Sequence, residues 1–266
     1  MKTLLFLLLT VCTTLSQGLT LRSPLRDIKP APVSGITTTY WLDLEFGSDG
    51  DRPNPLQLEA SHAPWTNDWT AYGATNQFYI RTAAQKAFTS VINGTTDSGS
   101  RGLEMDLNSG ATAAKGWYLK IDNGANATSF AFWYKASSLA ASIGLVLAEP
   151  SVQIINSGGS VQSRVIIGTD ISSNPLVAMY TSSAGNTITL AADTWYRFEC
   201  LSQRSGTCSL EVFNEAGTPQ GTSSGTGTAQ DGYYFIIGGF NDWMDYGSIY
   251  LDNIIINISG TTPLGP

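Results

Sequence analysis

Short apolar runs alternating with polar residues recur along most of this chain, at strand spacing rather than helical spacing. Tyr40–Phe46 alternates cleanly as a first strand, and further runs fall at Gln77–Arg81, Ala87–Ile92, Gly102–Asn108, Trp117–Ile121, Ser129–Lys135 and Ile143–Glu149. Val152–Asn156 and Val161–Gly168 predict a hairpin about Ser157-Gly158-Gly159, and Leu176–Thr181 with Thr187–Leu190 predict another about Ala184-Gly185-Asn186. Trp195–Leu201 and Cys208–Phe213 predict a third. Tyr233–Ile237 and Ser248–Ile258 close the series; the latter passes from alternation into a continuous apolar run, as a strand buried on both faces does. Helical periodicity is limited to a turn at Thr82–Lys86, while His62–Tyr72 and Gly221–Gln230 lack an apolar period and read as loops. The pattern predicts an all-β fold, a two-sheet antiparallel β-sandwich.

Residues 1–18 read as a secretory signal peptide. Met1-Lys2 starts it, Leu4–Val11 is apolar but far short of the ~20 residues that span a bilayer, and Ser16-Gln17-Gly18 supplies small residues for cleavage. Residues 19–39, with Pro24, Pro30 and Pro32, read as an extended N-terminal arm, 40–259 as one sandwich domain and 260–266 as a C-terminal tail. The expected location is secreted: extracellular, periplasmic or at the cell surface. No later stretch of the sequence predicts membrane insertion.

Charge narrows the partners. Acidic residues outnumber basic ones 21 to 14 and no basic cluster stands out, which speaks against nucleic acid and anionic membranes. Of three cysteines, Cys12 lies in the signal; Cys200 and Cys208 flank a short hairpin turning at Arg204, which would set them opposite each other. Export and an even count predict a disulfide between them, worth roughly 2–3 kcal/mol in the chain-entropy model; free thiols are the alternative. Asp252 interrupts the last apolar run, and a carboxylate there needs a partner or a proton, with a metal ion as the expected partner.

Several segments resemble one family. Asp43-Leu44-Glu45 is similar to the opening strand of many secreted jelly rolls, and Tyr250-Leu251-Asp252-Asn253-Ile254 to their closing strand. Phe130-Ala131-Phe132-Trp133-Tyr134 resembles their central strand, and Asp193–Phe198 followed by Phe213-Asn214-Glu215-Ala216-Gly217 resembles a further unit. Together these resemble the concanavalin A-like (laminin-G-like) lectin/glucanase domains, which implies a jelly-roll sandwich. The resemblance also implies a structural calcium ion held by Glu45 and Asp252, with Asp43 as a lesser ligand; an exposed polar edge without an ion is the alternative.

Candidate chemistry is sparse. Leu103-Glu104-Met105-Asp106 places two carboxylates on one strand face about 7 Å apart, against the roughly 5–5.5 Å of retaining glycosidases. A related glucanase motif continues to a third acid where this chain has Ser109, so a solvated strand face is the competing reading. His62, the sole histidine, could act with Tyr72 as the base and acid of a lyase, or lie on the surface. Gly221-Thr222-Ser223-Ser224-Gly225 matches a hydrolase elbow in form but has no strand before it or helix after it. Aromatics carry the binding case: Trp65, Trp69 and Tyr72 in one loop, Trp243 and Tyr246 in another, all beside Asn and Asp, suit stacking against sugar rings. The alternative is that they plug the ends of the sandwich. Trp133 and Trp195 read as core, and Asn93, Asn126 and Asn257 stand in glycosylation sequons. The expected function is a lectin-like protein binding a poly- or oligosaccharide, with a glycan-cleaving enzyme and a non-binding structural protein as alternatives. The sequence sets no oligomeric state.

Overall fold

The computed structural model describes residues 39–42, 47–52, 69–73, 78–84, 86, 101–106, 115–125, 127–137, 140–141, 146–155, 161–169, 172, 174–181, 185–239 and 244–257. In chain order the strands are β1 (Thr39–Leu42), β2 (Trp69–Gly73), β3 (Phe78–Arg81), β4 (Gly102–Asp106), β5 (Lys115–Ala125), β6 (Ala127–Ala136), β7 (Ala140–Ala141), β8 (Val146–Ile155) and β9 (Val161–Thr169). They continue as β10 (Pro175–Tyr180), β11 (Ile188–Thr189), β12 (Tyr196–Gln203), β13 (Thr207–Asn214), β14 (Pro219–Thr226), β15 (Gly232–Gly239), β16 (Met244–Tyr246) and β17 (Ser248–Asn257). A 3-10 turn over Thr82–Ala84 follows β3, where the sequence predicts a helical turn. No helix among the described residues is long and apolar enough to cross a membrane.

The first sheet runs β14-β13-β12-β6-β17-β4-β3, with β1 also paired to β17. The second runs β11-β10-β9-β8-β15-β5-β2, and β16 pairs with β7 apart from both. This is the antiparallel two-sheet sandwich that the alternation predicts. Period two turns Phe130, Phe132 and Tyr134 of β6 toward the second sheet, and with a register slip after Asp252 it does the same for Leu251, Ile254 and Ile256 of β17; they bury with Ile154, Ile167 and Phe235. Phe130 meets Phe235 edge-on at 5.4 Å between ring centroids, and Tyr134 stacks on Phe198 at 4.6 Å.

β17 sits at the centre of its sheet. One edge pairs with β6; the other pairs with β4 over its first half and with β1 over its second, Leu42 lying opposite Ile254. First and last strands are therefore neighbours. The register slips between Asp252 and Ile255, and Asn253 takes φ 49°, a left-handed conformation that Asn tolerates better than most residues. Ile254 and Ile256 face the core while Ile255 is equally buried on the other side. Burial on both faces explains the continuous apolar run.

Three segments depart from the sequence pattern. β2 overlaps the end of the stretch His62–Tyr72 that reads as a loop, and pairs along β5 from Trp69–Leu119 to Gly73–Lys115. β14 (Pro219–Thr226) runs into Gly221–Gln230, another expected loop. Its small residues are what its position demands: a Cβ on Gly225 would come within 2.8 Å of Thr181 Oγ1, and Ser223 Oγ accepts a hydrogen bond from the Met179 amide at 2.9 Å. An edge strand that packs this closely on the facing sheet has no room for apolar side chains. Finally, the two runs around Pro150 form one strand, β8, whose register with β9 shifts between Leu147 and Glu149 and between Pro150 and Val152. Such irregularities are where a strand accommodates proline.

The disulfide expectation is corrected. The third hairpin pairs Leu201 with Ser209 and Cys200 with Leu210, a register that turns about Ser205 (φ 51°) rather than Arg204. Cys200 and Cys208 are thus diagonal neighbours on the core face, about 7 Å apart, too far for the ~4 Å between the Cβ atoms of a disulfide. Both are buried free thiols, and burial pushes the pKa of each up.

Candidate functional site

The outer face of the first sheet carries a row of side chains running across its strands. Tyr79 of β3 lies opposite Glu104 of β4, Glu104 opposite Tyr250 of β17, and Tyr250 opposite Lys135 of β6. Trp195 immediately precedes β12, whose Tyr196 pairs with Tyr134, and so it continues the row beside Lys135. Lys135 Nζ lies 4.7 Å from the ring centroid of Tyr250 and 4.9 Å from that of Trp195. Four inter-strand steps make the row about 19 Å long. Tyr79, Tyr250, Lys135 and Trp195 are half-buried, whereas Glu104 is buried at 8% exposure.

Glu104 is fixed at both oxygens. Arg81 Nε donates to Oε2 and Ser248 Oγ donates to Oε1, each at 2.7 Å. The Arg81 guanidinium also covers the Tyr79 ring at 4.7 Å and reaches Asp49 at 3.9 Å. The expectation that Glu104 and Asp106 share a solvated face therefore fails at Glu104, which is enclosed and ion-paired. Asp106 is half-buried, opposite Ser248. Beside the row, the Ser248 amide donates to Ser137 Oγ at 2.7 Å and the Ser137 amide returns a bond to the Ser248 carbonyl. Burial lowers the Lys135 pKa, with Asp193 opposing, and burial raises that of Tyr250.

A strap of main chain walls the other side of the row. Asp49 Oδ1 accepts from both the amide (2.8 Å) and the hydroxyl (3.1 Å) of Thr82, starting the 3-10 turn; the amide bond is the largest influence holding the Asp49 carboxyl below its usual range. Ala84 then crosses directly above Gly102, where a Cβ would run into the Ala84 carbonyl oxygen. At Lys86 the strap is clamped by its own backbone: the amide donates to Asp252 Oδ2 at 2.7 Å and the carbonyl accepts from Asn253 Nδ2 at 3.3 Å. The Lys86 ammonium extends over the Trp133 ring at 4.7 Å to meet Glu215 at 3.1 Å.

This clamp bears on the expected calcium ion. Asp252 is fully buried, and its second oxygen accepts from the Asn253 amide at 2.8 Å. A hard cation needs six to eight oxygens around it. Among the described residues Asp252 accepts from the Lys86 and Asn253 amides, and no group of three metal-ligating side chains occurs there. Glu45 and Asp43, the other expected ligands, lie outside the described residues, as do His62, Trp65 and Trp243. Trp69 and Tyr72 belong to β2 at the edge of the second sheet, and Tyr246 to β16, opposite Ala140. Two of the sequence readings on tryptophan shift: Trp133 is buried, but on the outer face under Lys86, and Trp195 is half-exposed in the row.

Of the row, the sequence reading singles out Glu104 and misses Tyr79, Tyr250, Lys135 and Trp195 as site residues. A signal for three of them exists, since Tyr79, Tyr250 and Lys135 each stand between two residues buried in the core. Strand order, which brings them side by side, is not in that signal.

The chain is thus an antiparallel β-sandwich with an aromatic and charged platform on one outer face, walled by a strap. No family model matches it, and no curated protein does. Among solved structures, a protein of unknown function from Shewanella oneidensis MR-1 is similar at 13% identity and TM-score 0.45, over 86% of this chain and 91% of that one. The endo-β-1,4-glucuronan lyase of the fungus Trichoderma reesei is similar at 11% and 0.40, over 84% and 96%. The binding domain of Paraclostridial Mosquitocidal Protein 1 is similar at 12% and 0.41, over 70% of this chain but 45% of that one. At these values none of them bears on what this chain does.

Proposed function

We propose that this protein binds a poly- or oligosaccharide across the outer face of its first sheet, as a lectin-like sandwich. The row Tyr79–Glu104–Tyr250–Lys135–Trp195 carries the proposal. A sugar ring offers an apolar C–H face to an aromatic side chain and hydroxyls at its rim to charged and amide groups. Three half-buried aromatics spaced along about 19 Å suit an extended chain of sugars better than a single ring. Export, which residues 1–18 lead one to expect, would bring the protein to such ligands.

A glycan array probed with the full chain, followed by calorimetry on any hit, tests this. Tyr250→Ala and Trp195→Ala are each expected to weaken binding about tenfold, close to 1.4 kcal/mol. Assays for new reducing ends and for ultraviolet-absorbing unsaturated products run on the same hits. Product formation would replace the lectin reading with a glycan-cleaving enzyme. Glu104 is a poor acid for that role, because both of its oxygens already accept hydrogen bonds. Silence across array and assays would leave a structural protein.

A further inference from the structure

We infer that the glycan bound by this platform is neutral, and that the Asp193 carboxylate, at the Trp195 end of the row, accepts hydrogen bonds from its ring hydroxyls. The inference rests on the proposed reading of the face and adds the ligand's chemical class.

The turn before β12 fixes that residue in place. The Asp193 amide donates to the Ala136 carbonyl at 2.7 Å, which ties the turn to the end of β6 one residue beyond Lys135. The Ala191 amide donates to Tyr196 Oη at 3.0 Å and Thr194 Oγ1 to the Ala192 carbonyl at 3.1 Å, so the turn is held on both sides of Asp193. Asp193 takes φ 54°, a left-handed conformation uncommon for a residue with a side chain, and Trp195 follows two positions on. Asp193 is exposed, yet its charge reaches two members of the row. Burial is the largest influence on both Lys135 and Tyr250; behind it, the Asp193 charge helps Lys135 hold its proton and hinders Tyr250 from losing its own. An acceptor with several lone-pair sites thus stands where Tyr250, Lys135 and Trp195 converge.

The charge balance decides the ligand's class. Arg81 is held by Glu104 and Asp49, and Lys135 lies under the attraction of Asp193. Arg52 adds a positive charge over Tyr79 at 5.8 Å, but with Asp106 beside Glu104 the acids along the row still outnumber the bases. A uronate or sulfate stacked on Trp195 would bring its charge against Asp193, and like charges set together across an interface are repelled. A hydroxyl both donates and accepts, so a neutral sugar meets the carboxylate with a charge-assisted bond.

Calorimetry on the full chain would use neutral gluco-, manno- and galacto-oligosaccharides and the C6-oxidised uronate of each. At least one neutral series is expected to bind, with its uronate tenfold or more weaker. Asp193→Asn, which tolerates the left-handed backbone and removes the charge, should weaken neutral binding about tenfold and narrow the gap to the uronate. A merely structural role for Asp193 would not narrow that gap. Circular dichroism establishes that the variant is folded. A uronate bound as tightly as its neutral parent, or unchanged neutral affinity in Asp193→Asn, overturns the inference. If that uronate binding is lost in Tyr250→Ala and Trp195→Ala, the platform stands and the neutral assignment alone falls. Neutral binding untouched by both alanine variants, or no binding in any series, removes both.

Discussion

Glu199 stands on the closed outer face of β12, 4% exposed, 3.1 Å from Arg197 Nε on the same strand and opposite Glu211 across the β12–β13 ladder. Burial, the largest influence, raises its pKa above the ordinary 4.5 against the pull of Arg197. The folded state then holds the proton more tightly than the unfolded chain, so Glu199's contribution is fully present below about pH 4.5 and is lost as the pH rises through the raised value. Melting temperatures between pH 4 and 7 should show wild type losing ground to Glu199→Gln with rising pH; a constant or opposite difference would contradict this. Asp252 shows the other way to bury a carboxylate. Its place in an apolar run says that it needs a partner, and this much is legible in the sequence. That the partners are the amides of Lys86 and Asn253 is not, because it depends on a segment 166 residues away arriving with its backbone exposed.

The strap from Thr82 to Lys86 depends on one glycine. Any side chain at Gly102 would meet the Ala84 carbonyl, a backbone atom with no rotamer to escape into. Gly102→Ala is expected to cost about 1–3 kcal/mol in urea unfolding, the range for forcing volume into a close-packed site. A change of a few tenths would show that the strap does not cross there. The elements themselves were legible wherever alternation was strong, as in β3, β4, β6, β9 and β17. β14 was not, since its Gly and Ser residues serve close sheet packing and imitate a loop. β2 was obscured by aromatics scattered among polar residues without a period. In the third hairpin the strands were legible and the register was not: the turn centres one residue later than symmetry about the cysteines suggests, and that slip turns an opposite pair into a diagonal one.

Across the whole molecule, the order β12-β6-β17-β4-β3 makes a platform out of residues scattered between positions 79 and 250. Each is an ordinary outward residue on its own strand or, for Trp195, just before one. Together they form a stripe of rings and charges bounded by a strap on one side and by Asp106, Ser248 and Ser137 on the other. The all-β class follows from periodicity alone. The platform does not, because periodicity gives faces and only strand order gives neighbours. Attention to loop aromatics consequently pointed toward Trp69, Tyr72 and Tyr246, which belong to other sheets. The most direct test locates the ligand: amide chemical-shift mapping of the isotope-labelled full chain, titrated with the tightest glycan from the array. Shifts should concentrate at Tyr79, Glu104, Lys135, Trp195 and Tyr250. Shifts confined to β2 and β16, with those five amides unmoved at saturation, would contradict the account.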